Sequence, residues 1–404
     1  EPHAGGCLGL VRTKAVPQAD GSYQLSGTKI FISGGEHDLS DNIIHLVLAR
    51  LPDAPPGPKG LSLFLVPKLL PDGSRSAVHC ERIEEKMGLH GSATCVMRFD
   101  AATGWIVGAP GRGLNAMFVM MNAARLHVAL QGIGLLDAAW QKADAYAKER
   151  RQMRAPGRGK SAAEADLIIE HPAIRRILDT QRAWIDGGRV LAYTTAVELD
   201  IIKHHPDAER RATAERWCSL VTPVLKAAWT EQAFKGSSEC LQVFGGHGYV
   251  REWGIEQIVR DSRVSMIYEG TNEIQAIDLL VRKVLTDGGV GLTALLTALS
   301  CIEIDSCQRT NSLGYQAKTL INLTQQLVTA NATNRELPYW VADDYLRAVA
   351  LTLMHWAWLQ IQQVLPKDTH TTADARWLNP AAALHHWMLP EFGMRVQIVR
   401  ARLA

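Results

Sequence analysis

The hydrophobic pattern along the chain changes character twice. Up to about residue 110, apolar positions come in short runs rich in β-branched and large side chains, partly alternating with polar ones. That is the period of a half-buried strand. Residues 8–16, 23–33, 43–51 and 61–66 are predicted strands, with 94–99 a further one. Turn chemistry separates them at Asp20-Gly21, Gly34-Gly35, Pro55-Pro56-Gly57-Pro58 and Pro71-Asp72-Gly73. The spacing predicts a compact antiparallel barrel or sandwich.

Near residues 108–113 the pattern turns helical. Over 114–150, Met117, Met121, Ala124, Val128, Leu135, Ala139, Ala143 and Tyr146 fall on one broad face. A second helix is predicted from His171, where Ile174, Ile177, Leu178, Gln181, Trp184 and Ile185 keep the 3.6 period. A third covers 208–244, kinked at Pro223, which lacks the amide donor. The fourth runs over 271–285, with Thr271 as N-cap and Ile274, Ile277 and Leu280 as its stripe. Long helices with short joins predict a bundle. Asp287-Gly288-Gly289-Val290-Gly291 breaks the pattern again, and 292–327, 339–365 and 379–402 follow as helices. Trp340, Trp356, Trp358, Trp377 and Trp387 lie in this last part and are read as core or interface. The expected fold class is α+β: a partial β-barrel over 1–110, a helical bundle over 111–287 and a C-terminal helical extension over 288–404.

Composition narrows the class. The 404 residues are 47% hydrophobic, which makes a globular chain with a large core. Net charge is +2, from 43 basic and 41 acidic side chains, so nothing demands nucleic acid or an anionic membrane as partner. No apolar run approaches the roughly 18–20 residues of a membrane span. The seven cysteines are scattered, odd in number and without a CxxC pair. That fits reduced thiols in a cytoplasmic compartment and argues against a metal site. Glu1 is not a methionine and no signal peptide follows it, so an incomplete N-terminus is expected. There is no GxGxxG opening a βαβ unit, no GxxxxGK[ST], no HExxH and no GxSxG, so a redox cofactor would need another cradle.

One stretch offers chemistry: residues 265–275, centred on Tyr268-Glu269-Gly270. Glu269 stands between an aromatic ring and a glycine, just ahead of a helix, with Val264, Met266 and Ile267 before it. A carboxylate there would be partly desolvated, the environment that tunes a general base. A solvated loop carboxylate is the competing reading of the same residues.

Five motifs then occur in order: Glu1-Pro2-His3-Ala4-Gly5, residues 27–35 (Gly-Thr-Lys-Ile-Phe-Ile-Ser-Gly-Gly), Glu149-Arg150-Arg151-Gln152-Met153, residues 242–249 (Gln-Val-Phe-Gly-Gly-His-Gly-Tyr) and Ile267-Tyr268-Glu269-Gly270-Thr271-Asn272. Together, over about residues 1–287, they resemble the acyl-CoA dehydrogenases. The long helical tail and the run 245–253 resemble a large-subunit branch whose best-known members act on 3-(methylthio)propanoyl-CoA. The resemblance implies an N-terminal helical domain missing here, a β-barrel and a four-helix bundle, with FAD between barrel and bundle.

The resemblance also implies roles. Glu269 would be the catalytic base, taking the α-proton of a thioester while the β-hydrogen leaves as hydride to flavin N5. Gly270 would let substrate pass close to the backbone. Phe31, Ile32 and Ser33 would contact the flavin ring, with Phe31 and Ser33 where the family has tryptophan and threonine. Arg150, Arg151 and Gln152 would reach the FAD pyrophosphate of a neighbouring subunit. Gln242, Val243, Phe244, Gly245 and Gly246 would make the matching adenine–pyrophosphate contact, and Thr271, Asn272 and Glu273 the last FAD contact. Asn122 and Arg125 occupy a CoA-contacting position. Arg125 interrupts an apolar stretch and needs a partner, either a CoA phosphate or an internal carboxylate. Gly6-Cys7 stands where the family has Ser-Asp. His171 falls at a flavin-adjacent position of the resemblance, but as lone histidines His171 and His247 are read as cap or packing residues and kept out of the site. Shared FAD sites imply a homo-oligomer, at least a dimer, and electron-transfer flavoprotein is the implied electron acceptor. An acyl-CoA oxidase, a nucleic-acid-binding relative of the fold and an inactive fragment are the rival readings.

Overall fold

The structure is a computed structural model that describes residues 1–5, 7–157, 164–301, 312–365 and 372–403. These divide into two compact units, Glu1–Ala123 and Ala124–Ala404.

The first unit is built on β1 (Lys14–Pro17), β2 (Tyr23–Ser33), β3 (Ile44–Arg50), β4 (Leu61–Pro67), β5 (Val78–Ile83) and β6 (Thr94–Val107). The sheet order is β2-β1-β3-β4-β6-β5, and β2 also pairs with β6. That second pairing closes the sheet into a barrel and removes the open edges of β2 and β6. The expectation of a purely antiparallel sheet is corrected at one seam: β1 and β3 run parallel, through Lys14 and Arg50. Alternation works as the strand period requires. His45, Val47 and Ala49 of β3 point inward, and Val47 and Ala49 join Ala15, Leu25, Phe64, Val66, Met97 and Phe99 in the barrel core. Residues 8–16 do not form one strand, because Leu8–Leu10 is a 3-10 turn. The Glu1 carboxylate accepts hydrogen bonds from Arg12 N at 2.7 Å, Thr13 Oγ1 at 2.6 Å and Lys29 Nζ at 2.9 Å. Burial would raise its pKa, but these donors outweigh it and hold it near 2.

The helices are α1 (Gly113–Glu149), whose first turns belong to the first unit, then α2 (Pro172–His204), α3 (Ala208–Val243), α4 (Ile255–Arg263), α5 (Asn272–Ile277), α6 (Val290–Ser300), α7 (Leu313–Asn331), α8 (Leu337–Val364), α9 (Thr372–Ala383) and α10 (Pro390–Leu403). Proline at the first position starts α2. Asp207 caps α3, its side chain accepting from Glu209 N at 3.0 Å. The fourth predicted helix is split: α5 ends at Ile277 and a π-helical turn, Asp278–Val284, continues it. One helix, α1, is long and apolar enough by length and composition to cross a membrane, contrary to the expectation that no stretch approaches that; core helices of soluble proteins share the property.

α3 is the central helix of the second unit. Every residue from Val221 to Thr230 is buried, the signature of a helix packed on all sides. One continuous core joins α1, α2 and α3 to α6, α7, α8 and α10. Trp229 stacks edge-on against Trp184 at 5.3 Å and donates to the Trp184 carbonyl at 2.9 Å. Trp358 of α8 donates to the Ala183 carbonyl at 3.0 Å. The tail tryptophans divide: Trp356 and Trp358 are buried, whereas Trp340 and Trp387 are 65% and 51% exposed under Arg402 and Arg176.

Candidate active site

Glu269 adopts a left-handed backbone, φ +54°, and Gly270 follows at φ +83°. A non-glycine residue in this region is uncommon and costs energy unless its surroundings hold it there. Three side chains do so. Lys226 Nζ of α3 donates to the Gly270 carbonyl at 2.7 Å. Gln275 Nε2 of α5 donates to the Glu269 carbonyl at 3.1 Å. Tyr268 donates its hydroxyl to Gln131 Oε1 of α1, and burial pushes its phenol pKa up, so it stays a neutral donor. After the turn, Thr271 caps α5, accepting from Ile274 N at 3.4 Å. Asn272 turns its side chain onto α3: Nδ2 donates to the Ala227 carbonyl at 3.1 Å, and Oδ1 accepts from Lys226 and Thr230 at 3.1 Å each. Glu273 is exposed, and backbone donation at the helix start, with help from Thr271, holds its pKa below the usual range.

Arg125 answers one of its two alternatives. Its Nη1 donates to Asp278 Oδ2 at 3.0 Å, and both residues are buried, so an internal carboxylate is in place. The Asn122 side chain lies outside the described residues.

A second group assembles where α1 and α3 end. Arg150, Gln152, Gln242, Val243, Phe244, Gly245 and Gly246 line one cleft of about 560 Å³. Tyr146, His171 and His247 line it too, and sequence reasoning left them out. Tyr146 stacks on Phe244 with centroids 4.3 Å apart and meets His247 Nδ1 at 2.9 Å. The Arg150 guanidinium is exposed and has no partner among the described residues. A Cβ at Gly245 or Gly246 would meet nothing within 4 Å, so the backbone there is open to a close-approaching anion. Arg151 is not in the cleft; its Nη1 donates to the Ala165 carbonyl at 3.1 Å.

In the barrel unit, the register between β2 and β6 shifts between Lys29 and Ile32. The extra residue of that bulge includes Phe31, with φ +58° and 69% exposed. Bulges re-aim side chains, and this one turns an aromatic ring and the Ser33 hydroxyl outward. Among the described residues no cluster of His, Cys, Asp or Glu is arranged to hold a metal ion.

Two family models match the chain: acyl-CoA dehydrogenase, middle domain, over residues 1–102, and acyl-CoA dehydrogenase, C-terminal domain, over residues 111–284. The 3-methylmercaptopropionyl-CoA dehydrogenase of Ruegeria pomeroyi is 50% identical over 294 residues, which are 72% of this chain and 50% of that protein. The chain thus spans about half the length of that relative. An acyl-CoA dehydrogenase of Bacillus subtilis is 31% identical over 71% of this chain and 67% of its own length. The solved structure of an acyl-CoA dehydrogenase complexed with FAD from Bacillus anthracis matches in fold, with a TM-score of 0.76 over 98% of this chain and 66% of that one, at 18% identity. The chain belongs to the acyl-CoA dehydrogenase family.

Proposed function

We propose that the protein is an FAD-dependent acyl-CoA dehydrogenase in which Glu269 is the base. The left-handed Glu269-Gly270 turn, held from α1, α3 and α5, carries this reading. A Glu269 carboxylate oxygen takes the α-proton of the acyl thioester, and the Cα–Cβ double bond forms as the β-hydrogen departs. The chemistry FAD supplies when bound is acceptance of that hydrogen as hydride. The chain's own residues bind and orient.

The cleft at the ends of α1 and α3 fits the adenine–pyrophosphate half of the cofactor: an unpaired guanidinium, two glycines with open backbone and an aromatic stack. In the family reading this cofactor belongs to a second subunit, which makes the protein a homodimer or larger. Arg151 supports the same segment from behind by anchoring it to Ala165. Phe31, Ile32 and Ser33 present an aromatic face and a hydroxyl for the flavin ring. Thr271 and Glu273 shape the start of α5, and Asn272 contributes through its backbone. The 50% identity to the Ruegeria pomeroyi enzyme makes a 3-(methylthio)propanoyl thioester the first substrate to try, and electron-transfer flavoprotein is the proposed acceptor. The six described cysteines are free, which fits a reducing, cytoplasmic compartment.

Anaerobic bleaching of bound flavin with a panel of acyl-CoA thioesters tests the assignment. Glu269→Gln should retain FAD and lose bleaching by about 10³-fold or more, since it removes the proton acceptor. Bleaching at the wild-type rate in that variant would remove Glu269 from the chemistry.

A further inference from the structure

Lys226 is fully buried in the middle of the central helix, within the unbroken buried run from Val221 to Thr230. Among the described residues no carboxylate approaches it within ion-pair distance. A buried ammonium without a direct counter-ion is costly. A helix needing only to fill this space would carry leucine or methionine. What the ammonium does touch is the catalytic turn: Nζ donates to the Gly270 carbonyl at 2.7 Å and to Asn272 Oδ1 at 3.1 Å. Asn272 is in turn tied to the Ala227 carbonyl, one residue further along α3. The chain enters this contact in a backbone conformation that disfavours Glu269, and leaves it at the cap of α5.

We propose that Lys226 is the positioning residue of the base: its ammonium pins the Gly270 carbonyl to α3 and so fixes the left-handed turn from which the Glu269 carboxylate is presented. The inference rests on the reading of Glu269 as the base. Gln275 acts on the same turn from the other side, through the Glu269 carbonyl. The donor must be charged to be strong, since a charge-assisted hydrogen bond is roughly twice as strong as a neutral one.

The groups that face Lys226 are Glu273 of α5, Glu269 of the turn and Arg125 of α1, the last paired to Asp278. Burial pushes the ammonium down to about 8; Glu273 and Glu269 hold it up, and Arg125 opposes them. The pin is therefore charged below pH 8 and weakens as pH rises through that value.

Two measurements test this on the full chain. In hydrogen exchange, Lys226→Met should speed exchange of amides in residues 265–277 by about tenfold or more, with Lys226→Arg within about threefold of wild type. This arm needs no activity. In anaerobic flavin bleaching, Lys226→Met should be about 10- to 100-fold slower below pH 8, the loss expected for a displaced catalytic group. Wild type should slow as pH rises above 8, whereas Lys226→Arg, which cannot lose its proton, should hold its rate to higher pH. Unchanged exchange in Lys226→Met, or an alkaline limb in Lys226→Arg identical to wild type, overturns the assignment. If Lys226→Met does not fold, the Lys226→Arg profile decides. A wild-type protein that no acyl-CoA bleaches would overturn the proposed function instead, with the exchange result still standing for the pin.

Discussion

Asp278→Asn should destabilise the helical unit severely, by about 3–5 kcal/mol, the cost of breaking a buried ion pair from one side. Arg125 and Asp278 are 7% and 8% exposed and meet at 3.0 Å. Asp278 also lies 3.4 Å from Lys283 Nζ and 4.0 Å from Arg282 Nη1, so one carboxylate serves three cations. Asparagine keeps the shape and removes the charge. Lys283, whose pKa burial already lowers while Asp278 holds it up, can shed its proton. Arg125 cannot, and its Nε is already buried without a partner. The full cost therefore falls on the guanidinium.

Thermal unfolding followed by tryptophan fluorescence would read the effect as a fall of about 6 °C or more, at roughly 2–4 °C per kcal/mol for a large domain. High salt should leave it nearly unchanged, because the pair is out of reach of screening ions. The double variant Arg125→Met with Asp278→Leu removes both charges and should recover most of the loss. A loss under about 1 kcal/mol in Asp278→Asn, or a double variant no better than the single one, would refute the picture of a dry, structural pair. If Arg125→Met instead leaves stability unchanged and weakens acyl-CoA binding, the guanidinium serves the coenzyme.

Gly270→Ala should cost about 1–2 kcal/mol for its left-handed backbone alone. Its Cβ would also sit 2.7 Å from Gln275 Nε2, displacing the donor to the Glu269 carbonyl for about 1 kcal/mol more. Urea titration measures that loss, and flavin bleaching should fall by at least about tenfold because the same contact aims the base. Arg150→Ala should weaken FAD retention and dimerisation together while leaving the melting temperature of the flavin-free protein within about 1–2 °C, since an exposed side chain without a partner among the described residues contributes little to folding. Flavin release on ultrafiltration and sedimentation velocity check the two halves, and unchanged FAD affinity would take Arg150 out of the cofactor site.

The sequence pattern located elements well where burial and period agree. Residues 23–33 form β2 with the same ends, because the strand is bounded by turn chemistry at Asp20-Gly21 and Gly34-Gly35. It failed where the element is mostly solvated or irregular. β5 went unpredicted because only Val78 of its six residues is buried, the strand being attached through β6 alone. β6 runs on past the predicted end at Phe99: Ala101 takes φ +57° and interrupts the register, and pairing with β2 resumes at Ala102. α4 was missed for the same reason as β5, with only Ile255 and Ser262 buried. The π-turn at Asp278–Val284 has no period of its own by which a hydrophobic stripe could announce it.

The site shows a sharper division. Tyr268-Glu269-Gly270 was legible because its chemistry is local: an aromatic, a carboxylate and a glycine ahead of a helix cap. The groups that hold it are not local. Lys226 lies 44 residues from Gly270, and Gln131 lies 137 from Tyr268. Arg125 and Lys226 send the same signal, a lone cation inside an apolar helical run, and only a folded chain says what each one faces. Arg125 faces a carboxylate, so its charge is met by a counter-ion inside the fold. Lys226 faces a backbone carbonyl in a strained turn, which stability alone does not require. A buried cation whose partner is a neutral acceptor beside a candidate base is therefore the stronger functional signal of the two. It also makes the orientation of Glu269 a property of α3 as much as of its own loop.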